Sequence, residues 1–279
     1  MKNLRLFLGL LCIGLLFFSS CHDRELDMTV LNSTLYEGVA FDAVEAEDAW
    51  NVTVVQDDQK TGVELEYSTF LEEYLQVVKE GTTLKIGLTQ HLNLPAATIH
   101  NATVYVRSLK RIDLEEAAVL TLDGNFTGDL LQVEMSDASV LREGQFLGDL
   151  DLRMSNAAVV VDFIHEGARS TLDLEDASVF KGSLTATERL SITVKEASRL
   201  TTYGGASPQA DILVEEAGSL NMVQTSVEAM TMQVNHASEA YVNVSRILEG
   251  AVREGSTVFY QGNPTLAVNC DNSSTIAPL

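Results

Sequence analysis

The stretch Thr171-Leu172-Asp173-Leu174-Glu175-Asp176-Ala177-Ser178-Val179-Phe180 decides the architecture. Leu172 and Leu174 alternate with polar residues, the mark of a strand with one buried face. An acid, Ala and Ser follow, and a large apolar residue, Phe180, lies two positions beyond Ser178. Twenty residues later the order returns as Ile192, Val194, Glu196, Ala197, Ser198 and Leu200.

Working outward, the same unit appears as Glu116-Ala117-Ala118, Asp137-Ala138-Ser139 and Asn156-Ala157-Ala158 on one side. On the other side it appears as Glu216-Ala217-Gly218, His236-Ala237-Ser238, Glu254-Gly255-Ser256 and Asn272-Ser273-Ser274. The middle residues of the nine copies are separated by 21, 19, 20, 20, 20, 20, 18 and 18 residues. Strand alternation repeated at that period predicts an all-β fold, a single-stranded parallel β-helix (β-solenoid) with one coil of about 20 residues per repeat. A leucine-rich repeat would carry a fixed ladder Asn and a helical half, and a hexapeptide helix would show a strict period of six. Neither pattern is present.

Alternation also sets the register. Ile112 and Leu114, Leu131, Val133 and Met135, Leu150, Leu152 and Met154, and their later equivalents point inward, as do the small residue after the corner and the apolar residue two beyond it. The position between those two holds Val119, Arg199, Glu239 or Thr257, so it points to solvent. Glycines such as Gly124, Gly144, Gly167, Gly182 and Gly204-Gly205 supply the returns. Coils spaced by about 4.8 Å give nine copies a column of roughly 43 Å.

Residues 28–111 are less periodic. Strands are expected at Trp50 to Gln56, Val63 to Tyr67, Gln76 to Lys79, Thr83 to Leu88 and Thr98 to Val106, with a helical turn at Phe70 to Leu75. This part is expected to cap the apolar cross-section of the column. The chain divides into a signal peptide (1–20), a lipidated N-terminus and tether (21–37), an N-terminal β cap with first coils (38–111) and β-helix repeats (112–279).

The address lies at the start. Lys2 and Arg5 precede the apolar run Leu6 to Phe18, and Ser19-Ser20-Cys21 follows. A basic start, a short apolar core and small residues before a cleavage point form a signal peptide, too short to be a spanning helix. Cys after small residues resembles a lipobox, which makes Cys21 the expected diacylated N-terminus; the plainer alternative is a secretory signal with a chance Cys. Asp23, Glu25 and Asp27 resemble the acidic export signals of surface lipoproteins. The expected location is the outer membrane, held there by the lipid, with exposure at the cell surface. Once Cys12 leaves with the signal and Cys21 is acylated, Cys270 stands alone, so no internal disulfide is expected.

Composition narrows the partners. The chain has 279 residues, with 40 acids against 18 Lys and Arg, and loses two cations with the signal, giving 16 − 40 = −24. Such a charge excludes nucleic acid or an anionic bilayer surface as partner. A hydrophobic content of 46% excludes a disordered acidic tail.

The order of motifs is distinctive: the signal and Cys21, then Val52 to Gln56, Val63-Glu64-Leu65-Glu66 and Thr83-Leu84-Lys85-Ile86, then Val104 to Ile112 leading into the corners. It resembles the Bacteroidetes family of auto-transporter adhesin head GIN domains. The resemblance covers most of residues 38–276 and implies a right-handed parallel β-helix, similar to pectin lyases in fold and without known catalytic residues. The corner Asp/Glu-Ala-Ser/Ala departs from the family's Gly-Ser-Gly.

No phosphate-binding loop, zinc-type His pair or nucleophile elbow is present, so neither catalytic residues nor a cofactor are expected. The favoured function is a non-catalytic adhesin or binding scaffold with a glycan or protein ligand at the cell surface. The alternative is a carbohydrate-active enzyme, a polysaccharide lyase or hydrolase, whose site would break the repeat at one or two coils. Fold analogy alone gives it no support. Asp176, Glu196 and Glu216 instead recur at one corner, about 5 Å apart, where two charges repel by roughly 0.8 kcal/mol in water and about 3 kcal/mol at an effective dielectric of 20. Two outcomes are open for this ladder: carboxylates splayed into screened solvent, or weak capture of Ca²⁺.

Overall fold

A computed structural model of the chain describes residues 27–279, and within them the signal expectation and Cys21 do not fall. The described chain is a β-solenoid. Parallel pairing carries it from Ala43 to Pro278, each coil stacking on the one before through register pairs such as Leu172↔Ile192, Ile192↔Ile212 and Ile212↔Met232. The longest strands, Val159–Leu174, Val179–Val194 and Ser219–Val234, each run most of the way round a coil. They bend at register breaks, as at Val161/Phe163 and Gly167/Arg169.

The inward set is as the alternation requires. Ile112, Leu114, Leu131, Val133, Leu152, Leu172, Val194, Val214 and Met232 are all buried, and so are Ser178 and Phe180 on either side of the half-exposed Val179. The core is thus a continuous, mainly aliphatic column in which Phe126, Phe146, Phe163 and Phe180 are fully buried, Phe126 stacked on Phe146.

The corner is where local chemistry and fold meet. Both central residues are left-handed at each corner from Asp48-Ala49 to Glu254-Gly255, for example Asp176 at φ 53° and Ala177 at φ 61°, though not at Asn272-Ser273. Asp and Asn reach this region at little cost and Ala does so at about 1 kcal/mol. The turn persists because each Ala amide donates to the next coil's corner carbonyl: Ala157 to Asp176 at 2.8 Å, Ala177 to Glu196 at 2.9 Å, Ala197 to Glu216 at 2.9 Å. A small side chain is needed, since the corners sit one coil apart. At a return on another side, Gly205 (φ 119°) would place a Cβ 1.8 Å from the Leu184 carbonyl oxygen, so no other residue fits.

The first coil begins earlier than the repeat pattern indicates. Ala43–Ala46 pairs in parallel with Arg111–Leu114, and Asn51–Gln56 with Val119–Asp123. Between them Asp48 (φ 54°) and Ala49 (φ 59°) form the same corner, with Trp50 in the place of Ser or Ala. The residues from 57 to 110 form the cap. Thr83–Leu88 lies parallel on Ala43–Ala46 and pairs antiparallel with Leu75–Glu80. His100–Val106 lies parallel on Asn51–Gln56, then pairs antiparallel with Gly62–Ser68, which in turn takes Val30–Leu35. Reversing direction ends the parallel stack and covers its open edge. The expected helical turn is a short 3-10 turn at Thr69–Leu71. Val30–Leu35, within the segment expected as tether, is a strand.

Candidate functional site

Three features of the surface carry polar chemistry: the face before the corner, the corner itself, and a group where the cap meets the first coil.

On the face before the corner, outward side chains stack in columns. One column runs Glu45, Asp113, Glu134, Arg153, Asp173, and then Thr193, Leu213, Gln233 and Ala251. The half nearer the cap is charged and the far half is not. Over the charged half a groove of about 420 Å³ is lined by Asp113, Glu115, Glu134, Arg153, Asp173 and Glu175. Arg111 bridges the column, its Nη2 donating to Asp113 at 2.9 Å and Glu134 at 3.2 Å. Burial holds the Asp113 carboxyl above its ordinary range despite Arg111, and burial followed by Asp113 does the same to Glu115. A second groove of about 220 Å³ lies on the same face, where Arg189 Nε meets Asp211 at 3.1 Å. Carboxylates backed by a few guanidinium groups offer acceptors for hydroxyl and amine donors and repel polyanions.

At the corner, Asp176, Glu196 and Glu216 fall in successive coils and are solvent-facing or nearly so. Glu196 is held above its ordinary range by a hydrogen bond shared with Asp176, with the Asp176 charge adding to it. The corner carbonyls already accept from the Ala amides. Lys195 reaches Glu175 of the preceding coil at 3.7 Å, and His236 reaches Glu254 at 2.7 Å from an exposed position.

His165, one of the scattered histidines, is fully buried in the column. Its Nε2 lies 2.7 Å from the Gly148 carbonyl oxygen and its Nδ1 lies 2.8 Å from Ser170 Oγ. A carbonyl only accepts, so Nε2 carries the proton and Ser170 donates to Nδ1. Burial lowers its pKa, so the ring is neutral. A Ser–His pair sealed in the core has no route to a substrate and serves packing. Cys270 is half-buried, with its thiol donating weakly to the Asp271 carbonyl at 3.6 Å.

The third group escaped the repeat-based reading. Asp48 of the first corner, Glu116 of the second and His91 of the cap meet at 3.1 Å from His91 Nδ1 to each carboxylate. The signal available was Glu47-Asp48-Ala49, which matches the corner motif; His91 has none, because only the folding of the cap brings it there.

The described residues thus form a parallel solenoid with one capped end, a polar outer face and a mainly apolar interior. Residues 40–264 match the model of the family described as putative auto-transporter adhesin, head GIN domain, and the chain belongs to that family. No curated protein matches it. Among solved structures it is similar in fold to a putative adhesin of Parabacteroides distasonis (TM-score 0.70, 14% identity, 91% of this chain and 98% of that one). It is also similar to a putative adhesin of Parabacteroides merdae (TM-score 0.64, 13% identity, 90% and 95%). A third is described as a putative lipid binding protein of Parabacteroides distasonis (TM-score 0.62, 13% identity, 90% and 96%). Among the described residues no helix is long and apolar enough to cross a membrane.

Proposed function

We propose that the protein is an outer-membrane lipoprotein, anchored through Cys21 and turned to the cell surface, that acts as a non-catalytic adhesin through the face before the corner. The observation that carries this reading is the charged column from Glu45 to Asp173 and its groove, which spans several coils on a rigid sheet. Adjacent strands repeat at about 4.8 Å, so the face offers a regular series of acceptors suited to an extended, hydroxyl-rich chain such as a neutral glycan, or to a basic protein segment. Family membership supports adhesion and the signal with Cys21 supports the anchor. A polyuronate lyase fits less well, because the groove presents several carboxylates to a polyanionic substrate.

The corner carboxylates Asp176, Glu196 and Glu216 are proposed as solvated decoration with at most weak affinity for Ca²⁺, as single exposed carboxylates give a hard cation few ligands. The test of the main reading is a glycan and matrix-protein array run beside assays for unsaturated uronide and new reducing ends. Binding without product supports the adhesin; product release replaces it with the enzyme. Palmitate labelling that survives Cys21→Ser removes the anchor.

A further inference from the structure

We infer that Asp48, His91 and Glu116 form a binding site for one divalent transition-metal ion of the zinc type, open on one side to the adjoining cavity. Their three donor atoms lie within 4.8 Å of one another, and His91 Nδ1 is 3.1 Å from Asp48 Oδ1 and 3.1 Å from Glu116 Oε2. Ligands of one tetrahedral Zn²⁺, at about 2.0–2.1 Å from the metal, stand roughly 3.3 Å apart, so both His–carboxylate edges already have the required length.

The frame is rigid. Asp48 and Glu116 occupy the same left-handed corner position in adjacent coils, tied by the Ala49 amide donating to the Glu116 carbonyl at 2.9 Å. The second oxygen of Asp48 accepts from the Leu88 amide at 2.8 Å, which aims the first at His91 in the way outer-shell bonds orient metal ligands. The place is also unlike every later corner, because a cap residue adds an imidazole and covers the carboxylate. Only 7% of the Asp48 side chain is exposed.

Charge separates this group from an ordinary ion pair. Glu47, next to Asp48 in the chain, adds a third carboxyl group near Glu116. Even a protonated His91 leaves one cation against three carboxyl groups, a deficit that a divalent ion fills. A nitrogen donor favours zinc-type ions over Ca²⁺ or Mg²⁺, which take oxygen ligands. Three protein ligands leave one position, and it faces a cavity of about 310 Å³ walled by Leu92 and Leu94. Solvent or a donor group from an external ligand would occupy it.

The test is calorimetric titration of ZnCl2 into untagged, chelator-stripped protein, with Co²⁺ absorption as a second readout of tetrahedral coordination. One equivalent should bind, excess Ca²⁺ should not compete, and His91→Gln, at an exposed position that leaves the fold intact, should weaken binding by at least about tenfold. Asp48→Asn should do the same, while His236→Gln, which removes an exposed imidazole at a distant corner, should leave binding unchanged. Failure to bind one equivalent, or a His91→Gln protein that binds as wild type does, overturns the site and reduces the group to a salt bridge.

Discussion

At the scale of single residues, the sign of each side chain's direction is the most exposed part of the account. Leu141 is buried and its neighbour Val140 is half-exposed. Leu141→Asp would place an unpaired charge among apolar side chains of three coils, a loss of several kcal/mol, whereas Val140→Asp should cost under about 1 kcal/mol. Thermal unfolding of both variants checks this, and equal or reversed melting temperatures would mean a one-residue slip of the whole register. This level was almost fully legible in the sequence, because period-two alternation beside a corner that recurs every 18 to 21 residues admits only one inward set. Even His165 follows the rule: Phe163 is inward, so His165 is too. What the sequence could not disclose is why Ala tolerates the corner, since the compensating hydrogen bond comes from another coil, as when Ala177 donates to Glu196.

At the scale of an element, the His165–Ser170 pair shows how one coil accommodates a polar residue at a core position. His165 stacks between Phe146 and Leu184, which hold the equivalent places in the coils on either side. His165→Leu keeps the apolar stack but leaves the Ser170 hydroxyl and the Gly148 carbonyl without their partner, at a cost of about 1–3 kcal/mol. Adding Ser170→Ala should recover part of that loss, and a double-mutant cycle by denaturant unfolding measures the coupling. Additive losses would show that the hydrogen bond contributes nothing. The first coil is the element the repeat concealed. Trp50 replaces the small residue of the motif, and the strand Asn51–Gln56 meets its partner Val119–Asp123 only after the cap has been inserted between them. For the same reason the Asp48–His91–Glu116 group was hidden: its members come from three separate stretches of chain, joined by an antiparallel cap whose pairing leaves no period in the sequence.

At the scale of the whole molecule, charge sets the response to pH. Glu47, Asp113, Glu115 and Glu196 have native carboxyl pKa values above their ordinary ones. Such groups bind protons more strongly when folded, so they oppose folding at neutral pH, and that opposition fades as pH falls through their native values. His91, raised by Asp48 and then Glu116, adds stability that is complete below its unfolded value and lost as pH rises through its native one. Both effects favour mildly acidic conditions and outnumber the opposing one from His165, whose buried neutral ring loses stability as pH falls below its ordinary value. Asp271, lowered to about 2 by the Glu254 amide and by Ser274 and Ser273, acts the other way, as do Asp42 and Glu64, and their stability is lost as pH falls below the ordinary carboxylate range. The melting temperature should therefore rise from pH 8 to about pH 5 and fall below about pH 4. At pH 7, millimolar Ca²⁺ should shift it little beyond NaCl of matched ionic strength. A monotonic fall from pH 8 to pH 5 would contradict the assignment of these shifts.

The adhesin reading depends on one face of the column, and that face can be altered without touching the core. Glu134 and Asp173 point outward in the charged column, so Glu134→Lys with Asp173→Lys reverses its sign while the fold stays as it is. The decisive measurement compares wild type and this double variant, matched in melting temperature, for equilibrium binding to the ligand selected by the array, with the recovered ligand weighed for cleavage. Binding by wild type, at least about tenfold weaker binding by the variant, and ligand recovered intact are expected. Undiminished binding by the variant, or ligand returned in fragments by the wild type, would contradict the adhesin reading.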